Sequence, residues 1–328
     1  MKKKERKKKR NKIFLVVFYS LLSLLFISTV SIKIGDKLLE QDKPSQAKIL
    51  YKIGKLANPF AENINQRLLG ANIVQTERTT HSEETDGDEF AIANNTEKVV
   101  LGTNIVVPVL MYHYIRVNPD PNDKVGFNLS VTPDNFDSQM QYLLTHGYHT
   151  ITLDELGAAL LSKTPLPDKP IIITLDDGYR DSYTAAFPIL KKYNLKAVNF
   201  VITGVVGSPR YLTWEEMSEM KDSGIFTFGG HTVNHSALTY LGKDQVKKEL
   251  TDSKEDLQSH LGYLINWMAY PYGNVNSQVA SLARDTGYIG AFGTNYGDYQ
   301  STDYLFTLPR IRIGGSDSVS SFAAKLPW

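Results

Sequence analysis

Two adjacent carboxylates, Asp176 and Asp177, end the apolar run "PIIITL" and are followed at once by Gly178. Further along, "FGGHTVNHSAL" sets His231 and His235 four residues apart. Successive strand residues face opposite sides, so neighbouring acids converge on one target only where a strand breaks, and glycine allows the break. A plain Asp-Gly turn would account for the acids taken alone. The histidines alter that balance, because on a helical turn a spacing of four puts both imidazoles on one face, offering two nitrogens to one ion. The chain has no cysteine. Disulfides, thiolate ligands and cysteine nucleophiles are therefore excluded, and a metal would be held by His and carboxylates. Two histidines, one carboxylate and an open coordination position are the parts of a hydrolytic metal centre.

Those groups need a scaffold that brings both stretches to one rim. From Asn104 onward the sequence supplies strand patterns in "IVVPVLMYHYI", "HTITL", "PIIITL", "KAVNFV", "GIFTFG", "NWMAYP" and "YIGAFG". Between them lie helical stretches such as "TPDNFDSQMQYLLTHG", "LDELGAALLSK", "SYTAAFPILKKYN", "TWEEMSEMKDSG" and "GKDQVKKELTDSKEDLQSHLG", several opened by a capping Thr, Asp or Ser. Alternation of this kind implies a parallel α/β sheet, closed as a barrel or open and doubly wound. Either way the reactive groups belong at the carboxyl ends of strands. Both stretches fall just after predicted strands.

The rest of the chain has another character. A composition of 42% hydrophobic residues over 328 positions indicates a globular protein. The formal net charge of +1 conceals a basic cytoplasmic segment over 1–12, "KKKERKKKRNK" from position 2, so the remainder is acidic. The uncharged "IFLVVFYSLLSLLFISTVSI", residues 13–32, has the roughly 20-residue length of a membrane-crossing helix. Basic residues on its N-terminal flank predict a signal-anchor with everything beyond Lys33 outside the cell. A cleaved signal peptide is the alternative, although no Ala-x-Ala site follows. The adjoining span explains the basic run without nucleic acid. Residues 33–104 read as a stalk and linker, ending in the polar "QTERTTHSEETDGDEFAIANNTEK". Residues 105–328 form the predicted catalytic domain.

"TLDDGY", "HTVNH" and "YPYG" resemble, in order, the first three motifs of the polysaccharide deacetylases, the NodB-homology domain of carbohydrate esterase family four. The resemblance spans roughly 105–328. Its "LMYH" opening and C-terminal "LPR" are similar to the exopolysaccharide type, which acts on poly-N-acetylglucosamine. It implies a distorted (β/α) barrel of about seven strands and a divalent metal, most often zinc. By the same resemblance Asp177, His231 and His235 are the ligands and Asp176 is the general base. Tyr272 contributes a backbone N–H to the oxyanion, Pro271 shapes that loop, and Thr232 braces the histidine loop. The chemistry implied is removal of N-acetyl groups from an acetylated amino-sugar polysaccharide of the envelope of a bacterial cell. Alternatives are another small acylated substrate, or a non-catalytic glycan-binding module.

The chain departs from the family pattern at two points. Ala269 stands where the third motif usually has Arg, and no histidine follows His260, so the usual C-terminal histidine is missing. His113, on the first strand of the domain, is the candidate replacement acid, the other reading being a core histidine with a satisfied hydrogen bond. Arg310 in "TLPRIRI" is the candidate cation for Asp176, because a final strand that closes a barrel lies beside the first. The other reading of Arg310 is an exposed ion pair worth about 0–1 kcal/mol.

Overall fold

A computed structural model of the chain describes Lys33, Lys37, residues 104–120 and residues 122–328. The predicted cytoplasmic segment and membrane span lie outside the described residues, as does nearly all of the predicted stalk. Among the described residues no helix is long and apolar enough to cross a membrane. The architecture below belongs to the unit Val99–Trp328.

The strands, in chain order, are β1 (Asn104–Val106), β2 (Val109–Tyr112), β3 (Tyr114–Ile115), β4 (Ser130–Val131), β5 (His149–Thr150), β6 (Pro170–Asp177), β7 (Ala197–Val201), β8 (Phe226–Gly230), β9 (Trp267–Ala269), β10 (Gly290–Tyr296), β11 (Tyr299–Ser301) and β12 (Leu308–Arg312). The helices are α1 (Lys124–Leu129), α2 (Pro133–Thr145), α3 (Leu153–Ser162), α4 (Phe187–Tyr193), α5 (Trp214–Asp222), α6 (Lys243–Leu261), α7 (Ser277–Asp285) and α8 (Val319–Ala323). Seven strands run β2-β12-β10-β9-β8-β7-β6, and β6 pairs back onto β2, so the sheet closes into a parallel barrel. The short β5 adds to the start of β6, while β1–β11 and β3–β4 form separate two-stranded sheets.

The strands are apolar on both faces, as a parallel sheet covered by helices requires. All eight residues of β6 are buried. Ile171, Ile173 and Leu175 pack with helix residues such as Leu190, Met217 and Leu250, whereas Ile172 packs with Val198, Phe200, Phe292 and Leu308 from other strands. The even positions of β6 thus face the barrel interior and the odd ones the helical layer. Leu153, Leu156 and Leu160 of α3 join the interior cluster beside strand-start residues Val109 and Leu308, plugging the amino-terminal end. The carboxyl end stays available for chemistry.

Local signals set most helix starts. Thr152 and Thr213 each close a reciprocal capping box, with Glu155 and Glu216. "HTITL" yields only two strand residues, because Thr152 is taken up as the α3 cap. Helix α7 has no counterpart among the predicted helices, although Asn276 caps it and Val279, Leu282 and Ala283 form its buried stripe. The start of "SYTAAFPILKKYN" is a π turn over Ser182–Ala186 ahead of α4.

Candidate active site

The paired carboxylates diverge because the backbone changes hand at the second one. Asp176 is an even residue of β6 and points into the barrel. Asp177 has φ +75° and Gly178 φ +75°, so the chain leaves regular strand geometry there and the Asp177 side chain turns to the rim. Gly178 is required twice over. A Cβ there would meet the Val201 side chain at 3.2 Å, in a conformation that L-residues rarely adopt.

Register brings the histidines to the same rim. Asp177 is level with Val201 of β7, Val201 is level with Gly230 at the end of β8, and His231 follows immediately. The helical turn expected for 231–235 does not form. The segment is instead an irregular loop in which Thr232 and His235 take left-handed φ of +66° and +54°, and Thr232 Oγ1 accepts from the His235 N–H at 3.0 Å. This loop, not a helix face, turns both imidazoles toward Asp177. Asp177 Oδ1 is 3.3 Å from His231 Nε2 and 3.3 Å from His235 Nε2. One ligand atom from each residue lies within 4.8 Å of the others.

The donor set suits a divalent cation. His231 Nδ1 lies 2.7 Å from the Ala269 carbonyl, which can only accept, so Nδ1 carries the hydrogen and the Nε2 lone pair faces the carboxylate oxygen. A cation seated between that lone pair and the carboxylate oxygen would satisfy both. His231 is buried, and His235 has a partly open edge, which leaves the mixed nitrogen and oxygen site accessible from outside. Burial pushes the Asp177 carboxyl up, but the two imidazoles beside it, His231 and His235, prevail and hold it well below the usual carboxylate range.

Asp176 is held from the opposite direction. Arg310 Nη1 and Nη2 donate to Asp176 Oδ1 and Oδ2, both at 2.7 Å, in a bidentate pair. The same guanidinium donates through Nη1 to Thr174 Oγ1 at 3.1 Å and through Nε to the Gly293 carbonyl at 3.0 Å. It is fully buried, with the rings of Phe200 and Phe292 at 5.7 and 6.0 Å. Burial raises the Asp176 pKa, yet Arg310 outweighs it and the carboxyl stays ionised below the ordinary range. Arg310 enters the interior from β12, which pairs with β2 and β10, while Ala269 on β9 adds only a methyl to the inner cluster.

His113 follows β2 and sits in the field of Asp176, Asp177, Arg310 and Arg312. Burial lowers its pKa, and the two carboxylates act in the opposite sense. Pro271 and Tyr272 stand on the loop after β9. Tyr272 has φ +59°, an exposed ring, and a ring centroid 4.5 Å from that of His235. The sequence reading missed a tyrosine wall beside Asp177. Tyr114 stacks on Tyr179 at 3.7 Å, Tyr179 on Tyr211 at 5.2 Å, and the Arg116 guanidinium covers Tyr114 at 3.4 Å. The three rings are far apart in sequence with no common spacing, so only folding reveals the stack. Trp214 packs at the start of α5, stacked on His260 with ring centroids 3.8 Å apart.

Comparison with known proteins is consistent with this geometry. The polysaccharide deacetylase family matches residues 163–291. YxkH of Bacillus subtilis (strain 168), whose name carries that same description, is 34% identical over 218 residues, covering 66% of this chain and 75% of that one. The poly-beta-1,6-N-acetyl-D-glucosamine N-deacetylase of Staphylococcus epidermidis is 30% identical over 199 residues, covering 54% of this chain and 68% of the relative. Among solved structures, the Streptococcus pyogenes deacetylase PplD in complex with acetate aligns at TM-score 0.65 and 37% identity, covering 69% of this chain and 100% of that one. With the barrel, the gathered triad and these relatives in agreement, the chain belongs to the polysaccharide deacetylase family.

Proposed function

We propose that the protein removes N-acetyl groups from N-acetylglucosamine residues of a cell-envelope or secreted polysaccharide, in a metal-dependent hydrolysis. The observation that carries this reading is the pairing of an inward carboxylate locked by Arg310 with an outward Asp-His-His cluster. A divalent ion held by Asp177, His231 and His235, zinc being our choice, would supply Lewis acidity toward the acetyl carbonyl and a more acidic water. Asp176 accepts the proton of the attacking water. Arg310 fixes the orientation of that carboxylate and keeps it ionised, the task an Arg at position 269 would otherwise perform. The backbone N–H of Tyr272 donates to the oxygen that gains charge, with Pro271 and the positive φ of Tyr272 shaping its approach. His113 passes a proton to the departing nitrogen, and Thr232 braces the ligand loop.

The names of relatives support the substrate class: the Staphylococcus epidermidis protein is a poly-beta-1,6-N-acetyl-D-glucosamine N-deacetylase, and PplD was solved with acetate, the small product such a reaction releases. A non-catalytic glycan-binding module is the weaker reading, since binding alone has no use for a desolvated, arginine-clamped base. We further propose that residues 13–32 anchor the protein in a bacterial membrane, with 33–104 as a stalk and 105–328 outside the cell. The test is acetate release from defined N-acetylglucosamine oligomers and from peptidoglycan fragments, with and without chelator. Chelator-sensitive release from the oligomers is expected. Absence of release from either, in a metal-loaded protein, would rule the reading out.

A further inference from the structure

The loop bearing both histidine ligands is irregular, and two of its five residues hold left-handed backbone without being glycine. Such a conformation persists only where the surroundings impose it. One side of the loop is held by backbone: the Thr203 and Gly204 N–H groups donate to the Thr232 and Val233 carbonyls at 3.1 and 2.9 Å. A Cβ on Gly204 would lie 2.5 Å from that Val233 oxygen, so glycine is needed for the approach. The other side is held by one side chain. Glu249 Oε2 accepts from the Val233 and Asn234 backbone N–H groups, both at 2.9 Å, and Oε1 accepts from the Asn234 side-chain amide at 2.6 Å.

Glu249 is an unexpected residue for its place. It sits on the buried stripe of α6, between Val246, Leu250 and Ser253, and is only 8% exposed. A helix with that stripe would be served by an apolar side chain there. An acid is kept inside only if its oxygens are matched, and all three of these partners come from the two residues between Thr232 and His235. Beside it lies an open cleft of about 250 Å³ that Asn234, Gln245 and Lys248 also line.

We propose that Glu249 is a positioning residue for the metal centre: its carboxylate fixes the loop 231–235 so that the His235 imidazole meets the ion already oriented. The inference rests on the metal reading above, with Asp177, His231 and His235 as ligands. The Glu249 carboxylate bonds Val233 and Asn234 and neither imidazole, so its removal acts through ligand placement. Groups that hydrogen-bond a ligand directly typically change metal affinity about 10- to 100-fold, and Glu249, acting through the loop backbone, belongs at the lower end of that range.

The test is a Zn2+ competition titration of the full-length chain against a chromophoric chelator, together with the Co2+ absorption spectrum and the melting temperature of the metal-free protein. Glu249→Ala should weaken Zn2+ binding about 10-fold, the lower end of what loss of a direct ligand partner does, and alter the Co2+ spectrum. Water entering from the adjoining cleft can hydrate the freed amides, which keeps the fold accessible. Glu249→Gln can still accept from both backbone N–H groups while the Asn234 amide turns over, so it should restore affinity to within a few-fold of the parent. Leu250→Ala cuts the same helix out of the core without touching the loop; it should lower the melting temperature and leave Zn2+ affinity unchanged. If Glu249→Ala does not fold, Glu249→Asp, which withdraws the carboxylate from the loop, takes its place with the same expected loss. Zn2+ affinity of Glu249→Ala, or of Glu249→Asp in its place, equal to that of Leu250→Ala would overturn the proposal. A parent chain that binds neither Zn2+ nor Co2+ would overturn the metal reading itself.

Discussion

The barrel interior and its rim treat two consecutive carboxylates in opposite ways. Asp176 sits inside, saturated on both oxygens by one guanidinium that is itself fully buried. Asp177, one peptide bond later, is at the rim with its Oδ1 shared between two imidazoles. Both are driven toward ionisation against the penalty of burial, the first mainly by Arg310 and the second mainly by its histidine neighbours. The difference arises from a single backbone torsion, the φ of +75° at Asp177. Strand alternation alone would send the second acid into the helical layer. Adjacent identical residues can therefore be given separate tasks by geometry: a fixed partner would keep one carboxylate off an ion, and a gathered nitrogen pair would assign the other to it.

The comparison can be broken most severely at the rim. His231→Ala should abolish acetate release and metal content together, because it removes one of three ligands; elemental analysis beside the activity assay checks it, and full activity in a metal-stripped sample would defeat the assignment. In the interior, Asp176→Asn keeps shape but loses basicity, so turnover should fall about 10² to 10⁴-fold with the metal retained. Loss of metal in that variant would mean that the two acids had been assigned the wrong way round.

Arg310→Ala sharpens the contrast energetically, since it leaves a buried carboxylate without its partner. Denaturant unfolding should show a loss of about 3–5 kcal/mol, and turnover should drop without stripping the metal. A loss near zero would place the pair among exposed ion pairs, contrary to its burial. The smallest effect is expected for His113→Ala, which should bind metal normally and reduce turnover less than Asp176→Asn does. An unchanged rate would show that the proton for the leaving nitrogen comes from another group.

The chain itself determined the alternation of strands and helices, because apolar runs, Thr caps and glycine punctuation act over a few residues. It also displayed the reactive groups, since two acids before a glycine and two histidines four apart are local patterns. What those patterns could not show is how the parts meet. The spacing of the histidines suggested a helical turn, yet the structure uses left-handed backbone at Thr232 and His235, a conformation imposed by Gly204 and by Glu249 from distant elements. The arginine missing at Ala269 is supplied in space by Arg310, a substitution possible only because β12 lies between β10 and β2 in a closed barrel. Helix α7 formed from a stripe too short to stand out, and the stack of Tyr114, Tyr179 and Tyr211 has no sequence period at all. Local order is written in neighbouring residues, whereas the partner of a buried charge is set by which strands the barrel closure places side by side.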